Sequence, residues 1–141
     1  MRIAVIGLGM ASAPHAQSLL ELADRVEVAA AFSPTQSRRE AFASQWSLPV
    51  TDDLDGIFAD PSIDAVLILT PPSSHLELVE RAAASGKHIL LEKPLDISLE
   101  RAEGLVEAAE RSGVKLGVVL QHRFRPVSTA LSRIVADGRL G

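Results

Sequence analysis

Short apolar runs recur along this chain at wide intervals: IAVI (3–6), VEVAAAF (26–32), AVLIL (65–69), HILL (88–91) and KLGVVL (115–120). Each is too short to be a typical helix and too evenly apolar to be a strand with one wet face, so each fits a strand buried on both sides. The stretches between them are long enough for a crossover and carry the period of amphipathic helices. That alternation predicts an α/β fold, a doubly wound parallel sheet with helices on both faces. Its crossovers are right-handed, and its ligands sit in the crevice at the carboxyl ends of the strands. Residues that directly follow each run are therefore the ones to search for chemistry.

The covering helices are legible in outline. Leu76, Val79 and Ala83 recur at helical spacing, as do Leu99, Ala102, Val106 and Ala109, with Ser98 placed to cap the second of these helices. Val50-Thr51 reads as a brief edge strand, and Leu54 to Ala59 as a short helix ended by Asp60-Pro61. With 141 residues, 47% of them hydrophobic, the chain can bury one real core but not two. No repeat, low-complexity tract or charge run interrupts it.

Net charge excludes some partners. At −4, the chain offers no electrostatic reason to bind nucleic acid or an anionic membrane, so any anion must be held by local groups. The absence of cysteine rules out a disulfide framework and a thiolate nucleophile or metal site; no metal site is expected, and a cytoplasmic setting fits most simply. Met1-Arg2 followed by IAVIGLGMASA imitates a short signal peptide, but glycines break the apolar part and it runs on into Pro14, His15 and a helical pattern. No apolar run approaches the roughly 18 residues of a membrane-spanning helix.

GLGMAS, residues 7–12, follows the first strand and opens the first helix, which is the context of the dinucleotide fingerprint G-x-G-x-x-G with Ser12 in the third slot. A phosphate held there needs free backbone N–H groups, room for close approach and a helix N-terminus. Gly7 and Gly9 supply the room, Met10 and Ala11 complete the turn, and Pro14 falls in the first helical turn, where its missing N–H costs little. About 20 residues beyond such glycines, an acidic residue ordinarily receives the ribose hydroxyls of NAD. Here the second strand ends Ala31-Phe32-Ser33-Pro34-Thr35-Gln36-Ser37-Arg38-Arg39, with no carboxylate. Hydroxyls of Ser33, Thr35 and Ser37 with Arg38 or Arg39 suit a 2′-phosphate, so NADP is favoured, with NAD possible. The plainer alternative is that these residues merely start a helix and both arginines are solvated.

After the AVLIL run comes Thr70-Pro71-Pro72-Ser73-Ser74-His75, a rigid turn feeding a helix whose N-terminus faces the crevice. His75 can touch cofactor or substrate, although an isolated histidine is more often structural; His15, on the first helix, reads as packing against the sheet. HILL is followed by Glu92-Lys93-Pro94, where an ordinary turn would favour Gly, Asn or Asp. An ammonium group at that position can steady the oxygen of an alcohol or carbonyl during hydride transfer, while the bland reading is a surface Glu–Lys pair before a proline.

Taken in order, IAVIGLGMASAPHA, LTPPSSH, GKHILLEKPLDISLERAEGLVEAAERSG and VVLQHRFRP resemble the Gfo/Idh/MocA oxidoreductases, the glucose-fructose oxidoreductase and inositol dehydrogenase group. GKHILLEKPL is the most specific piece, and the resemblance runs over essentially the whole chain. It implies a Rossmann domain that binds NAD or NADP and serves oxidation or reduction of a sugar, polyol or related hydroxyl. By the same resemblance Gly7 and Gly9 match the pyrophosphate turn; Thr70, Pro71 and His75 match the second cofactor-facing loop; and Glu92, Lys93 and Pro94 match the EKP motif. Lys93 takes the place of the lysine beside nicotinamide and substrate, and Gln121, His122 and Arg123 more loosely that of the nicotinamide-end residues. Ser12 and Ser33 depart from the family pattern, the second in the direction of NADP.

The resemblance also divides the chain: residues 1–122 as the dinucleotide-binding domain, and 123–141 as a helix leading toward a substrate domain that is absent. Turnover by this chain alone is not expected, and surfaces meant for that domain, left exposed, would encourage a homo-oligomer. Two other classes of function compete. A non-catalytic nucleotide-sensing or partner-binding module would keep the glycine turn and make no demand on Lys93. An S-adenosylmethionine transferase is weaker, because it too commonly uses an acid after the second strand and leaves the EKP segment unexplained.

Overall fold

The computed structural model describes residues 1–139; of the segment 123–141, Leu140 and Gly141 lie outside the described residues. In chain order the elements are β1 (Arg2–Ile6), α1 (Ser12–Glu21), β2 (Glu27–Phe32), α2 (Gln36–Trp46), β3 (Val50–Thr51), α3 (Leu54–Ala59), β4 (Ala65–Ile68), α4 (His75–Ala84), β5 (His88–Glu92), α5 (Leu99–Arg111), β6 (Leu116–Val119) and α6 (Pro126–Ala136). Single 3-10 turns at Pro72–Ser74 and Gln121–Phe124 precede α4 and α6. Every strand pairing is parallel, and the sheet order is β3-β2-β1-β4-β5-β6. This is the doubly wound Rossmann order, in which the direction of winding reverses between β1 and β4 and opens a crevice at their carboxyl ends. The short edge strand at Val50-Thr51 and the helix ending before Pro61 both form as the sequence predicts.

Alternation along the strands builds two cores. Ala4, Ile6, Val66, Ile68, Ile89 and Leu91 face one way and pack against Ile57 and Phe58 of α3, Val79 and Ala82 of α4, and Leu105 of α5. Val5, Ala31 and Leu67 face the other way, with Ala16 of α1 and Phe42 of α2 above them. Full burial of a side chain such as Leu91 or Leu105 stabilises the fold by about 1.5–3 kcal/mol each, so these strands are fixed in register by what they bury.

One helix turns a different face inward from that expected. Leu99 is 75% exposed and Val106 lies at the margin of exposure, while Leu105, Ala108 and Ala109 are buried. The inward arc is centred on Leu105, which joins the core with Leu78, Val79 and Ala82 of α4, the helix that α5 packs beside. Ser98 does cap α5, its hydroxyl accepting from the Arg101 N–H at 3.3 Å. Helix α6 has no buried residue, and its apolar Val127, Leu131 and Val135 are exposed. No helix among the described residues is long and apolar enough to cross a membrane.

Candidate cofactor-binding site

The glycine turn is built by two glycines with different roles. Gly7 has φ +104°, and a Cβ on it would stand 2.9 Å from Leu69 C and from Thr70 Cγ2, so the exit of β1 can press against the exit of β4 only without a side chain there. Its N–H donates to Phe32 O at 3.0 Å. A Cβ on Gly9 would meet nothing within 4 Å. Gly9 therefore leaves space for a ligand rather than for the protein. Ser12 takes the third slot by bonding inward: it is buried, and its hydroxyl donates to Gly9 O at 2.7 Å, which closes the turn that a third glycine would otherwise allow. Helix α1 begins with no side-chain cap and no acidic residue in its first turn, so its orphan N–H groups and positive dipole end are left for an anion.

A crevice of 670 Å³ opens between the ends of β1, β2 and β4. Eight of the residues singled out from the sequence line it: Gly7, Gly9, Met10, Ala11, Ser33, Arg38, Thr70 and Pro71. Ser74, in the Thr70–His75 turn, lines it as well, as do Leu54 and Glu77, which no crevice motif marked because α3 and α4 bring them in from other crossovers. Thr35 is exposed at the start of α2 and lies outside the lining.

At the end of β2 the structure separates the two arginines. Arg39 is committed: one guanidinium nitrogen donates to Ser33 O at 2.7 Å and another pairs with Asp52 at 3.1 Å. Arg38 is exposed, lines the crevice and makes no side-chain hydrogen bond or ion pair among the described residues. Ser33 is 1% exposed, its hydroxyl accepting from the Thr35 N–H at 3.2 Å. The nearby acids of the β3 exit are occupied too, Asp52 by Arg39 and Asp53 as the cap of α3, where it accepts from the Gly56 N–H at 2.7 Å.

His75 is placed differently from the expected cofactor contact. It is fully buried, with Nδ1 3.0 Å from Leu95 O and Nε2 2.9 Å from Thr70 O, so its ring is not presented to the crevice and instead ties the β4 exit to the segment beyond Pro94. Asp96 strengthens the same tie. Its side chain is fully buried, Oδ1 accepts from Arg101 Nε at 2.7 Å and from the Ile97 N–H at 2.6 Å, and Arg101 reaches on to Ser73 O at 2.9 Å. Burial alone would raise the Asp96 pKa, but the Arg101 and Ile97 hydrogen bonds outweigh it and hold the carboxyl below the ordinary carboxylate range. Its second oxygen, Oδ2, is buried without a partner. No sequence pattern announced this cluster, since its members come from three separate segments.

Glu92 and Lys93 stand at the exit of β5, and Gln121 and Arg123 in the turn after β6, farther along the same carboxyl edge and outside the crevice lining. The Lys93 side chain pairs with nothing among the described residues, and the bond to Pro94 is cis. Glu92 is held at both oxygens: Oε1 lies 3.2 Å from His15 Nε2, and Oε2 accepts from the Lys93 N–H at 2.7 Å. His15, read from the sequence as sheet packing, is thus a polar partner of the EKP segment. Gln121, His122 and Arg123 are exposed, and the Arg123 guanidinium lies 5.9 Å from the Phe124 ring centroid. Among the described residues no group of three His, Asp or Glu side chains is placed to hold a metal ion.

Residues 1–120 match the model of the GFO_IDH_MocA oxidoreductase family, NAD-binding Rossmann fold. Among curated proteins, the chain is 36% identical over 143 residues to inositol 2-dehydrogenase of Rhizobium meliloti and 33% identical over 142 residues to scyllo-inositol 2-dehydrogenase (NAD(+)) of Bacillus subtilis. Both alignments use all of this chain and 42% of the relative, so the chain spans about two fifths of the length of the curated relatives it matches. Among solved structures, the WlbA dehydrogenase of Bordetella pertussis, in complex with NADH and UDP-GlcNAcA, superposes on the whole chain at 25% identity and a TM-score of 0.93, over 41% of its own length. KijD10, a 3-ketoreductase of Actinomadura kijaniata in complex with NADP, does so at 27% identity and a TM-score of 0.86, over 43% of its length. The chain belongs to the Gfo/Idh/MocA oxidoreductase family and constitutes its NAD-binding Rossmann part.

Proposed function

We propose that this chain is the cofactor-binding part of an NADP-preferring oxidoreductase that transfers hydride between nicotinamide and a hydroxyl or carbonyl of a sugar, polyol or related substrate. Residues 1–122 hold the cofactor and residues 123–141 lead toward the part that encloses the substrate. The observation that carries this reading is the convergence in one crevice of an open Gly9, an uncapped α1 N-terminus and an unpaired Arg38, with no carboxylate at the β2 exit. Those groups fit a dinucleotide. The first-turn N–H groups of α1 would receive the pyrophosphate, and Ser33, Thr35 and Arg38 the adenosine end, where a guanidinium matches a 2′-phosphate. Thr70 and Pro71 would bound the cofactor on the β4 side, and Glu92, Gln121 and Arg123 toward its nicotinamide end.

Nicotinamide supplies the hydride acceptor or donor when bound. Lys93 would hold the substrate oxygen in its hydrogen-bonding reach and stabilise negative charge that builds on it as hydride leaves or arrives. The inositol dehydrogenases of R. meliloti and B. subtilis make a polyol ring the first substrate class to try.

Calorimetric titration with NADPH and with NADH tests the cofactor half of the reading. Arg38→Ala should weaken NADPH by about tenfold or more while leaving NADH nearly unchanged, the loss of one charge-assisted phosphate contact. Ser33→Asp should level or reverse the preference, by placing a carboxylate where it repels a 2′-phosphate and can accept from ribose hydroxyls. Equal binding of the two cofactors by the unmodified chain would remove the NADP preference, and binding of neither would refute the cofactor reading of the crevice.

A further inference from the structure

The proposed role of Lys93 raises a question that the sheet does not answer, because β5 ends at Glu92 and leaves the ammonium-bearing residue on a loop. We propose that His15 is a positioning residue for Lys93, acting through Glu92; this rests on the reading of Lys93 given above. The histidine lies on α1, the helix that opens from the glycine turn, and its side chain is 18% exposed against 13% for Glu92. A carboxylate can only accept, so His15 Nε2 is the donor across the 3.2 Å contact. The other Glu92 oxygen accepts from the Lys93 N–H at 2.7 Å. Two hydrogen bonds therefore run in series from α1 to the Lys93 backbone, joining residues 77 apart in the chain.

The His15–Glu92 bond is largely shielded from water and so is stronger than a solvent-exposed counterpart, whereas the Glu92–Lys93 N–H bond is exposed and depends on where the carboxylate is held. A carboxylate that lost its histidine would be left under-satisfied. The nearest remedy would be for Glu92 to turn out and take the Lys93 ammonium as its partner. His15 thus does two things: it fixes the residue before Pro94 to the helix whose N-terminus faces the crevice, and it keeps the Glu92 carboxylate off the ammonium. The far end of the segment is fixed independently, by His75 on Leu95 O and by Asp96 through Arg101 to Ser73 O. Between those two anchors the Lys93 side chain alone is left unpaired among its charged neighbours, poised for a ligand rather than for the protein.

Amide hydrogen exchange read residue by residue tests the proposal on the chain itself. His15→Leu should speed exchange of the Lys93 N–H by about tenfold or more, the loss of a hydrogen bond to a charged group, with the β1 and β4 amides unchanged. His15→Gln, whose amide nitrogen can donate to the same Glu92 oxygen, should restore protection. No change at Lys93 in His15→Leu, a rise shared equally by β1 and β4, or no rescue by glutamine would each overturn the proposal. NADPH and NADH titration of the same samples keeps it separate from the reading it rests on: an unmodified chain that binds neither cofactor refutes the proposed function, whatever the exchange shows.

Discussion

Gly7 and Gly9 belong to one turn, and a sequence motif treats them alike, yet the structure gives them separable duties. Gly7 is required by the protein, since its positive φ and the 2.9 Å approach of Leu69 and Thr70 admit no Cβ. Gly7→Ala should therefore cost about 1–3 kcal/mol of stability, measured by urea denaturation, from the backbone conformation alone. Gly9→Ala should leave the denaturation midpoint almost unmoved and weaken cofactor binding, because only a ligand would meet the new methyl group. Equal loss of stability in the two variants would contradict this division. Arg38 and Arg39 divide in the same way. They are adjacent and chemically identical in the sequence, and only the folded positions of Ser33 O and Asp52 decide that Arg39 is spent on the protein.

At the scale of elements, the loop between β5 and α5 is held by charges as much as by packing. Asp96, buried against Arg101 and the Ile97 N–H, has its folded pKa depressed. A depressed carboxylate stabilises the fold above its unfolded pKa, near 3.9, and that contribution is lost as pH falls through the still lower folded value. Comparison of the wild type with Asp96→Asn in urea should accordingly show a stability gap at pH 6 that narrows below about pH 4. A gap independent of pH would mean that the carboxylate charge is not what holds the loop. Helix α5 itself shows the reach of periodicity. Leu99, Ala102, Val106 and Ala109 are spaced for one face, but spacing cannot say how the helix will be rotated on the core, and of these only Ala109 is buried, together with Leu105 and Ala108.

For the whole molecule, the sheet face over β5 and β6 and the outer side of α6 are incompletely covered. Leu90, Leu120, Phe124, Val127, Leu131 and Val135 are all exposed. Apolar surface of this extent drives association when nothing else covers it. Sedimentation of the chain should show an average mass that rises with concentration, and Leu131→Lys with Val135→Lys should suppress the rise. A single monomer mass at every concentration would argue that these residues do not form a connected sticky patch.

Strand positions, the parallel sheet and the glycine turn were determined by the sequence itself, because each is written in contiguous residues: apolar runs of strand length, crossovers of helical period and a strand-turn-helix glycine pair. The EKP motif was legible for the same reason. What only the tertiary structure decided are the partnerships between distant segments: His15 with Glu92, His75 with Leu95 and Thr70, Arg101 with Asp96 and Ser73, and the freedom of Arg38 beside the engaged Arg39. A hydrogen bond depends on where two groups stop in space to within a few tenths of an ångström, and for residues on different crossovers that is set by the sheet order and the packing of both cores, not by any local pattern.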